Sequence, residues 1–407
     1  MNYKFITDMT RREYEYFVKS HSTTSFMQEY GWPFVKSNWE HAYCGLYQND
    51  TLVAACAVLI KKLPFNIRLF YVPRGYLIDY KNSDLLLIFT KYLKEFAKHK
   101  HAYAITIDPN FCKSETSILT IEKNETVSFP KHYSIDADIK HNNLINLHYH
   151  HKGFHKSINS YLQPRFNMSI PLVDENFEPL TEQQVKSSFK KRIREYLGNY
   201  HTKRGVFFEH TTDIDRLDEF MEIINITEER QNISLRNRAY FETMMKQYPD
   251  RAVLFFGKLD LKQYLEFLNS HKSTEEEKKE IESFIEEGKT TLTLSAALVL
   301  IPLNEEKVRT CEYLYAGNNL KFAKLNISYG LVYDICKYGI EQNCDFCNLG
   351  GINGTLDDHL TTFKSRFNAI VWEFYGEYDY IVNHFLYWPI RIFLPVGKWF
   401  YRKLRRR

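Results

Sequence analysis

The chain has 407 residues, 44% of them hydrophobic and 26% charged, which excludes a disordered chain and allows two or three packed domains. Its formal net charge of +4 selects no partner, but residues 391–407 carry seven basic side chains and no acidic one. A run of that kind is either a solvated tail or a surface for an anionic membrane or nucleic acid.

The amino terminus lacks the apolar core of a signal peptide, and no run of about 18 apolar residues appears. The seven cysteines are scattered, as in a reducing compartment, so a cytoplasmic protein is expected. Residues 3–20 read as an amphipathic opening segment. Pro33 suits the first turn of a short helix, from which Lys36 projects. Residues 41–47 and 51–60 form a hairpin around a turn at 48–50. Another strand, 68–72, leads into Pro73-Arg74-Gly75. A helix over 85–99 with a basic end follows, and then a strand over 102–107 that ends at Asp108-Pro109. An aspartate there is either a site residue or a cap.

Residues 166–171 read as a strand entering a second unit. Residues 186–204 read as one basic helix, a solvated face or a phosphate contact. A helix over 217–230 precedes Arg236 and Tyr240, whose spacing puts a guanidinium and a phenol on one helix face, a pairing suited to phosphate or carboxylate, or to a surface ion pair. Residues 258–289 read as a projecting helical hairpin with a capping box at Ser273 and Glu276. With nine acidic residues against six lysines, it makes a poor nucleic-acid arm. Residues 291–303 and 309–315 are strands around a turn at 304–306. Gly317 lies in a loop, a helix ends near Tyr338, and a strand ends at Gly350. Cys344 and Cys347 form a lone C-x-x-C; on a strand they face opposite ways, so buried structural thiols are expected and no metal site.

Gly75 to Asp108 and Gly317 to Gly350 both span 33 residues, each with hairpin, strand, glycine, helix and strand in that order. That repetition indicates an internal duplication of one α/β unit, with a crevice between the copies as a natural ligand site. The chain contains no P-loop, no dinucleotide fingerprint, no G-x-S-x-G elbow and no paired HExxH. A Gln/Arg-x-x-Gly-x-Gly/Ala loop for coenzyme A is also missing.

Several motifs, in order along nearly the whole chain, resemble the FemXAB family of non-ribosomal peptidyltransferases, which build peptidoglycan cross-bridges in Gram-positive bacteria. They are Phe70-Tyr71-Val72-Pro73-Arg74-Gly75 with Asp79-Tyr80, Thr106-Ile107-Asp108-Pro109, Glu229-Arg230 with Leu235-Arg236 and Tyr240, Tyr313-Leu314-Tyr315-Ala316-Gly317, Asn348-Leu349-Gly350-Gly351, Phe363-Lys364 with Phe367, and Gly376-Glu377-Tyr378-Asp379. Within the family the chain is most similar to the MurM and MurN branch.

The resemblance implies an α/β (α+β) fold of two tandem acetyltransferase-like (GNAT-type) domains, at 1–165 and 166–385. The hairpin at 258–290 is inserted as an arm, and a basic aromatic segment follows at 386–407. It implies an aminoacyltransferase moving alanine, serine or glycine from aminoacyl-tRNA to the stem-peptide lysine of lipid II or a related muropeptide precursor, without a cofactor. Lys36 and Arg236 match positions that contact the acceptor's diphosphate. Tyr103, Asp108, Tyr240 and Tyr315 match positions lining the acceptor, and Lys364 matches the lysine that stabilises the reacting centre. Asp108 or the substrate itself would take the amine's proton. The loop before Lys364 departs from the family's Gly-Leu-Tyr-x-Phe pattern, reading Asp357-Asp358-His359-Leu360. The terminal segment, with Trp388, Trp399, Phe400 and Tyr401 among arginines, suits the inner membrane face. Two other classes stay open: an acyl-CoA-dependent N-acyltransferase, and a non-catalytic RNA- or membrane-binding protein.

Overall fold

The computed structural model describes residues 2–21, 25–232, 235–303 and 308–392. The expected turn at 304–306 and the tail residues Trp399, Phe400, Tyr401 and 402–407 lie outside the described residues. The first half contributes strands β1 (Tyr3–Ile6), β2 (Glu40–Gln48), β3 (Thr51–Lys62), β4 (Arg68–Val72), β5 (Ala102–Ile107), β6 (Cys112–Ser117) and β7 (His150–His151). The second contributes β8 (Phe166–Pro171), β9 (Val206–Thr211), β10 (Ala252–Asp260), β11 (Thr291–Leu300), β12 (Thr310–Asn318), β13 (Phe346–Ile352), β14 (Ile370–Phe374) and β15 (Tyr378–Ile381).

These strands form two sheets, ordered β1-β2-β3-β4-β5-β15-β7 and β6-β14-β8-β13-β12-β11-β10-β9. The duplication is visible in them. In the first sheet the β2-β3 hairpin leads to β4, which crosses through the helix Ser83–His99 to the parallel β5. In the second, the β10-β11 hairpin leads to β12, which crosses through the helix Ile327–Glu341 to the parallel β13. Each crossover helix lays an apolar stripe on its own sheet: Leu86, Phe89, Leu93 and Ala97 in the first, Leu331, Val332 and Ile335 in the second. The fold is two tandem acetyltransferase-like α/β units. The units also trade strands: β6 completes the second sheet by pairing β14, and β15 is inserted between β5 and β7 of the first.

A third core joins the units. Leu59 and Tyr71 of the first sheet meet Leu254, Phe256, Leu298 and Leu300 of the second through the helices Leu217–Gln231 and Arg238–Gln247. Among the described residues no helix is long and apolar enough to cross a membrane.

Several expectations are corrected. The basic helix over 186–204 is broken into Glu182–Ser188, Lys191–Glu195 and His201–Lys203, with extended backbone at Phe189 and a non-helical Gly198. Several of its cations are engaged: Lys190 with Glu122 at 2.8 Å, Lys186 with the Leu197 carbonyl at 3.1 Å, and Arg204 against Tyr200 and Phe267. The hairpin helices Leu261–Ser270 and Glu275–Glu286 pack against the second unit through Tyr264, Leu268 and Ile281 rather than projecting. The cap of the later helix is Thr274, one residue past Ser273. Gly317 lies within β12, not in a loop, and β13 continues past Gly350.

Candidate active site

Four of the expected side chains converge where the units meet. Lys36 follows the short helix Trp32–Val35, whose Trp32 and Val35 are held in the shared core. Its Nζ stands 3.3 Å from the Tyr240 hydroxyl and 4.4 Å from the centre of the Trp32 ring. Tyr315, on β12, donates to the Tyr240 hydroxyl at 3.0 Å. Arg236 lies two residues ahead of the helix Arg238–Gln247 rather than on it, because Asn237 is the cap. Its guanidinium nevertheless reaches 5.2 Å from the Tyr240 ring. Burial, and then the like charge of Arg236, pull the Lys36 ammonium down to about 8. Burial drives the Tyr240 phenol far above its ordinary value. Two cations beside two neutral phenols have the charge and donors that suit a doubly charged anion.

A separate cleft opens along β12, the strand that carries Tyr315. The strands β12 and β13 pair only from Thr310 to Glu312 and from Phe346 to Asn348. Beyond that they diverge, β12 staying with β11 and β13 turning to β8. The divergence opens a cavity of about 130 Å³ walled by Arg74, Gln163, Glu312, Tyr313, Asn348 and Gly350 among others. Gly350 turns the chain with φ of +79°, a left-handed conformation that suits glycine. Just past that turn the Gly351 carbonyl accepts from Lys364 Nζ at 2.8 Å. Lys364 sits on the helix His359–Ser365, capped by Asp358, and only 4% of it is exposed. Burial pulls its ammonium down to about 7, opposed by Asp358. At the floor of the cleft Asn348 Nδ2 donates to Glu312 Oε2 at 2.8 Å, and Asn348 Oδ1 accepts the Gly350 amide at 2.9 Å. Burial lifts Glu312 to about 7, against the opposing effects of Arg74 and the Asn348 bond. A half-buried carboxylate thus lines the cleft, and a buried amine is bonded to the Gly351 carbonyl in its wall, the kind of groups that acid-base or acyl-transfer chemistry uses.

The FemAB family model matches residues 9–278 and 269–393, almost the entire chain. The chain belongs to the FemAB family. This FemAB protein is an aminoacyltransferase, as the motifs led one to expect. It is 26% identical over 426 aligned positions to the lipid II:glycine glycyltransferase of Staphylococcus aureus strain USA300, covering 93% of each chain. The enzyme of the same name from S. aureus strain bovine RF122 / ET3-1 is 25% identical over the same share. The crystal structure of FemX superimposes with a TM-score of 0.76 at 25% identity, over 96% of this chain and all of that one.

The other two expected residues stand elsewhere in the FemAB fold. Asp108, at the end of β5, accepts the Arg74 amide at 2.9 Å through Oδ1, while its buried Oδ2 has no partner. Burial raises it to about 7, with Arg74 opposing and Glu377 adding to the rise. Tyr103 is not brought to the Lys36 cluster. It packs on Tyr387 beside Ala104, and its carbonyl accepts the amides of Val382 and Asn383. Burial and Asp379 raise its phenol to about 12, with Lys152 opposing.

Sequence reasoning gave no role to two groups of polar residues. One is Glu312 with Asn348. The other is a buried network in which Lys152 Nζ lies 2.9 Å from Glu377 and 3.0 Å from Asp379. Thr106 and Tyr387 also donate to Asp379, at 2.6 and 2.8 Å. Cys311, Cys336, Cys344 and Cys347 lie in the apolar core of the second unit, and Cys344 precedes β13 rather than belonging to it.

Proposed function

We propose that this enzyme moves glycine, alanine or serine from aminoacyl-tRNA onto the stem-peptide lysine amine of lipid II or a related muropeptide precursor, building peptidoglycan interpeptide bridges. The observation that carries the reading is the pair Lys36 and Arg236, two cations held against phenols with a like charge for a neighbour, with a buried lysine bonded to Gly351 in the wall of the cleft on β12 and β13. A diphosphate-linked acceptor has the charge and shape for the first part, and an activated ester needs only alignment and an oxyanion donor in the second. The relatives' name, lipid II:glycine glycyltransferase, supports the acceptor class.

In this reading Lys36 and Arg236 hold the diphosphate, with Tyr240 and Tyr315 against the muropeptide. Asp108 and Tyr103 contact the acceptor further along the first unit. The aminoacyl ester is already activated, so no covalent enzyme intermediate is needed and proximity supplies much of the rate. Lys364 donates to the oxyanion of the tetrahedral intermediate. In domain terms, residues 1–165 and 166–385 act as the two units, with the segment from 386 onward on the inner membrane face of the cytoplasm. The described start of that segment supports such a contact. The helix over 384–392 exposes Phe385, Trp388, Pro389 and Ile392, an i, i+3, i+4, i+7 stripe, and Phe65 lines one surface groove with Leu386.

The deciding experiment is transfer of radiolabelled glycine, alanine or serine from charged tRNA to lysine-containing lipid II, and to the same acceptor already bearing one residue. Transfer of one label, lost in Lys364→Met, is the expected result. Transfer to neither acceptor refutes the proposal.

A further inference from the structure

The cavity between β12 and β13 contains one carboxylate among the described residues, and the mechanism above leaves it unused. Glu312 is the last residue of β12 still paired with β13, so its side chain is fixed at the point where the cleft opens. Asn348 holds Oε2 at 2.8 Å. Among the described residues no donor reaches Oε1, and the carboxylate is half-buried, reached through the cavity. A second acceptor waits in the same wall: Asn167 is 4% exposed, and its Oδ1 has no hydrogen-bond partner. The rings of Tyr133, Trp372 and Phe374 complete that wall, and aromatic faces attract cations. A carboxylate, a free amide oxygen and aromatic rings are the partners a primary ammonium group requires.

We propose that Glu312 receives the acceptor's primary amine in this cavity and takes its proton, so that the amine attacks as the neutral nucleophile. The assignment rests on the aminoacyltransferase reading. A lysine amine has an unperturbed pKa of about 10.4, so only about one in a thousand is neutral near pH 7. A base within reach removes that handicap. The proton passes from the ammonium to the Glu312 carboxylate. The freed lone pair forms the new C–N bond at the ester carbonyl, and the carbonyl electrons become the oxyanion opposite Lys364. Collapse breaks the ester C–O bond. The departing ribose oxygen takes the second proton from the nitrogen, and Glu312 returns its own to solvent with product release.

The titratable groups around Glu312 are Arg74 from the turn after β4, Tyr133, Cys344 just before β13 and Cys347 on β13; the Arg74 guanidinium supplies the positive charge that favours the carboxylate, and Cys347 opposes it. With burial lifting the carboxylate to about 7, it is poised to accept a proton at physiological pH.

The test is single-turnover transfer by the full chain from charged tRNA to the lysine muropeptide, followed from pH 5.5 to 9.5. Glu312→Gln keeps an oxygen for Asn348 and removes the base. The expected result is a rate at least 100-fold lower at pH 7, climbing about tenfold per pH unit as the amine sheds its proton unaided. The unaltered protein instead levels off above about pH 7. The variant should melt no lower than the unaltered protein, and its loss of rate at saturating muropeptide should exceed any loss of affinity. Asn348→Ala is the second variant: it keeps the carboxylate but removes a bond that favours its charged form, so the midpoint of the pH profile should move upward. A Glu312→Gln enzyme with the unaltered rate and pH profile overturns the assignment alone, as does an unmoved midpoint in Asn348→Ala. No transfer by the unaltered protein overturns the transferase reading and this assignment with it.

Discussion

Replacing Lys364 by methionine should make the protein more stable while making it inactive. The Lys364 side chain is almost wholly buried, and among the described residues it hydrogen-bonds the Gly351 carbonyl at 2.8 Å. Holding an ammonium there lowers its pKa from 10.5 to about 7. At about 1.4 kcal/mol per tenfold change, that fall costs about 4 kcal/mol of folding free energy at pH 7. Methionine removes this cost and forfeits one hydrogen bond, worth about 1.5 kcal/mol, leaving a gain of about 2–3 kcal/mol. The sign with pH is fixed. A lysine whose folded value lies below its unfolded value binds fewer protons when folded, so its penalty is full below pH 7 and fades as pH rises toward 10.5. The melting temperature of Lys364→Met should therefore exceed that of the unaltered protein most clearly near pH 6, and the two should converge by pH 10. Calorimetric melts across that range measure it. Transfer, measured separately, should fall at least 100-fold with acceptor affinity unchanged. A variant that melts lower at pH 6, or whose advantage does not shrink with pH, would refute the account of Lys364 as a charge held against its own stability. Equal losses of transfer rate and acceptor affinity would refute its oxyanion role.

Other perturbations probe the rest of the site. Lys36→Met and Arg236→Met should each weaken diphosphate-acceptor binding about 10- to 100-fold, as loss of a charge-assisted hydrogen bond does, with turnover at saturation little changed. Because Lys36 loses its proton near pH 8, calorimetric titration should also show acceptor binding weakening as pH rises through that value. Gly317→Ala would place a Cβ 2.6 Å from the Ile223 carbonyl oxygen and 2.9 Å from Thr227 Oγ1. It should cost about 1–3 kcal/mol in denaturation experiments and reduce acceptor affinity by shifting Tyr315. Removing residues 393–407, which include six basic and no acidic side chains, should abolish co-sedimentation with anionic vesicles at 0.1 M salt; undiminished binding would refute the tail's role.

Local sequence was a good guide wherever apolar runs were bounded by turn residues. The strands 68–72, 102–107 and 166–171 have the expected limits, because each is a short, largely buried stretch rich in aromatic or aliphatic side chains and bounded by turn residues. Counting charges failed at 186–204, where Phe189 turns inward onto Phe367 and Gly198 breaks the backbone, neither of which a basic stripe reveals. Strand exchange was illegible for another reason. Cys112–Ser117 is mostly polar, with no strand-like apolar run, and its partner Ile370–Phe374 lies far along the chain, beyond the reach of any periodicity. In the site, Lys36 and Tyr240 are 204 residues apart and meet only through the shared core. Glu312 did carry a local sign. A glutamate inside Thr310-Cys311-Glu312-Tyr313-Leu314-Tyr315 is expensive to bury, and such a residue is kept where it is used.

The exchange of β6 and β15 governs how the molecule can be made. During synthesis the amino-terminal half emerges first, yet the strand that fits between β5 and β7 arrives only with residues 378–381. Until then the edge of β5 stands open, a ready template for pairing with another chain. The second sheet is the mirror case, since its β14 edge is closed by β6, synthesised some 250 residues earlier. Neither half is thus a unit that could be borrowed, expressed or inherited alone. A nonsense mutation before residue 378 would strip the first sheet of the strand between β5 and β7, and the damage would reach Asp108 and Tyr103, far earlier in the sequence.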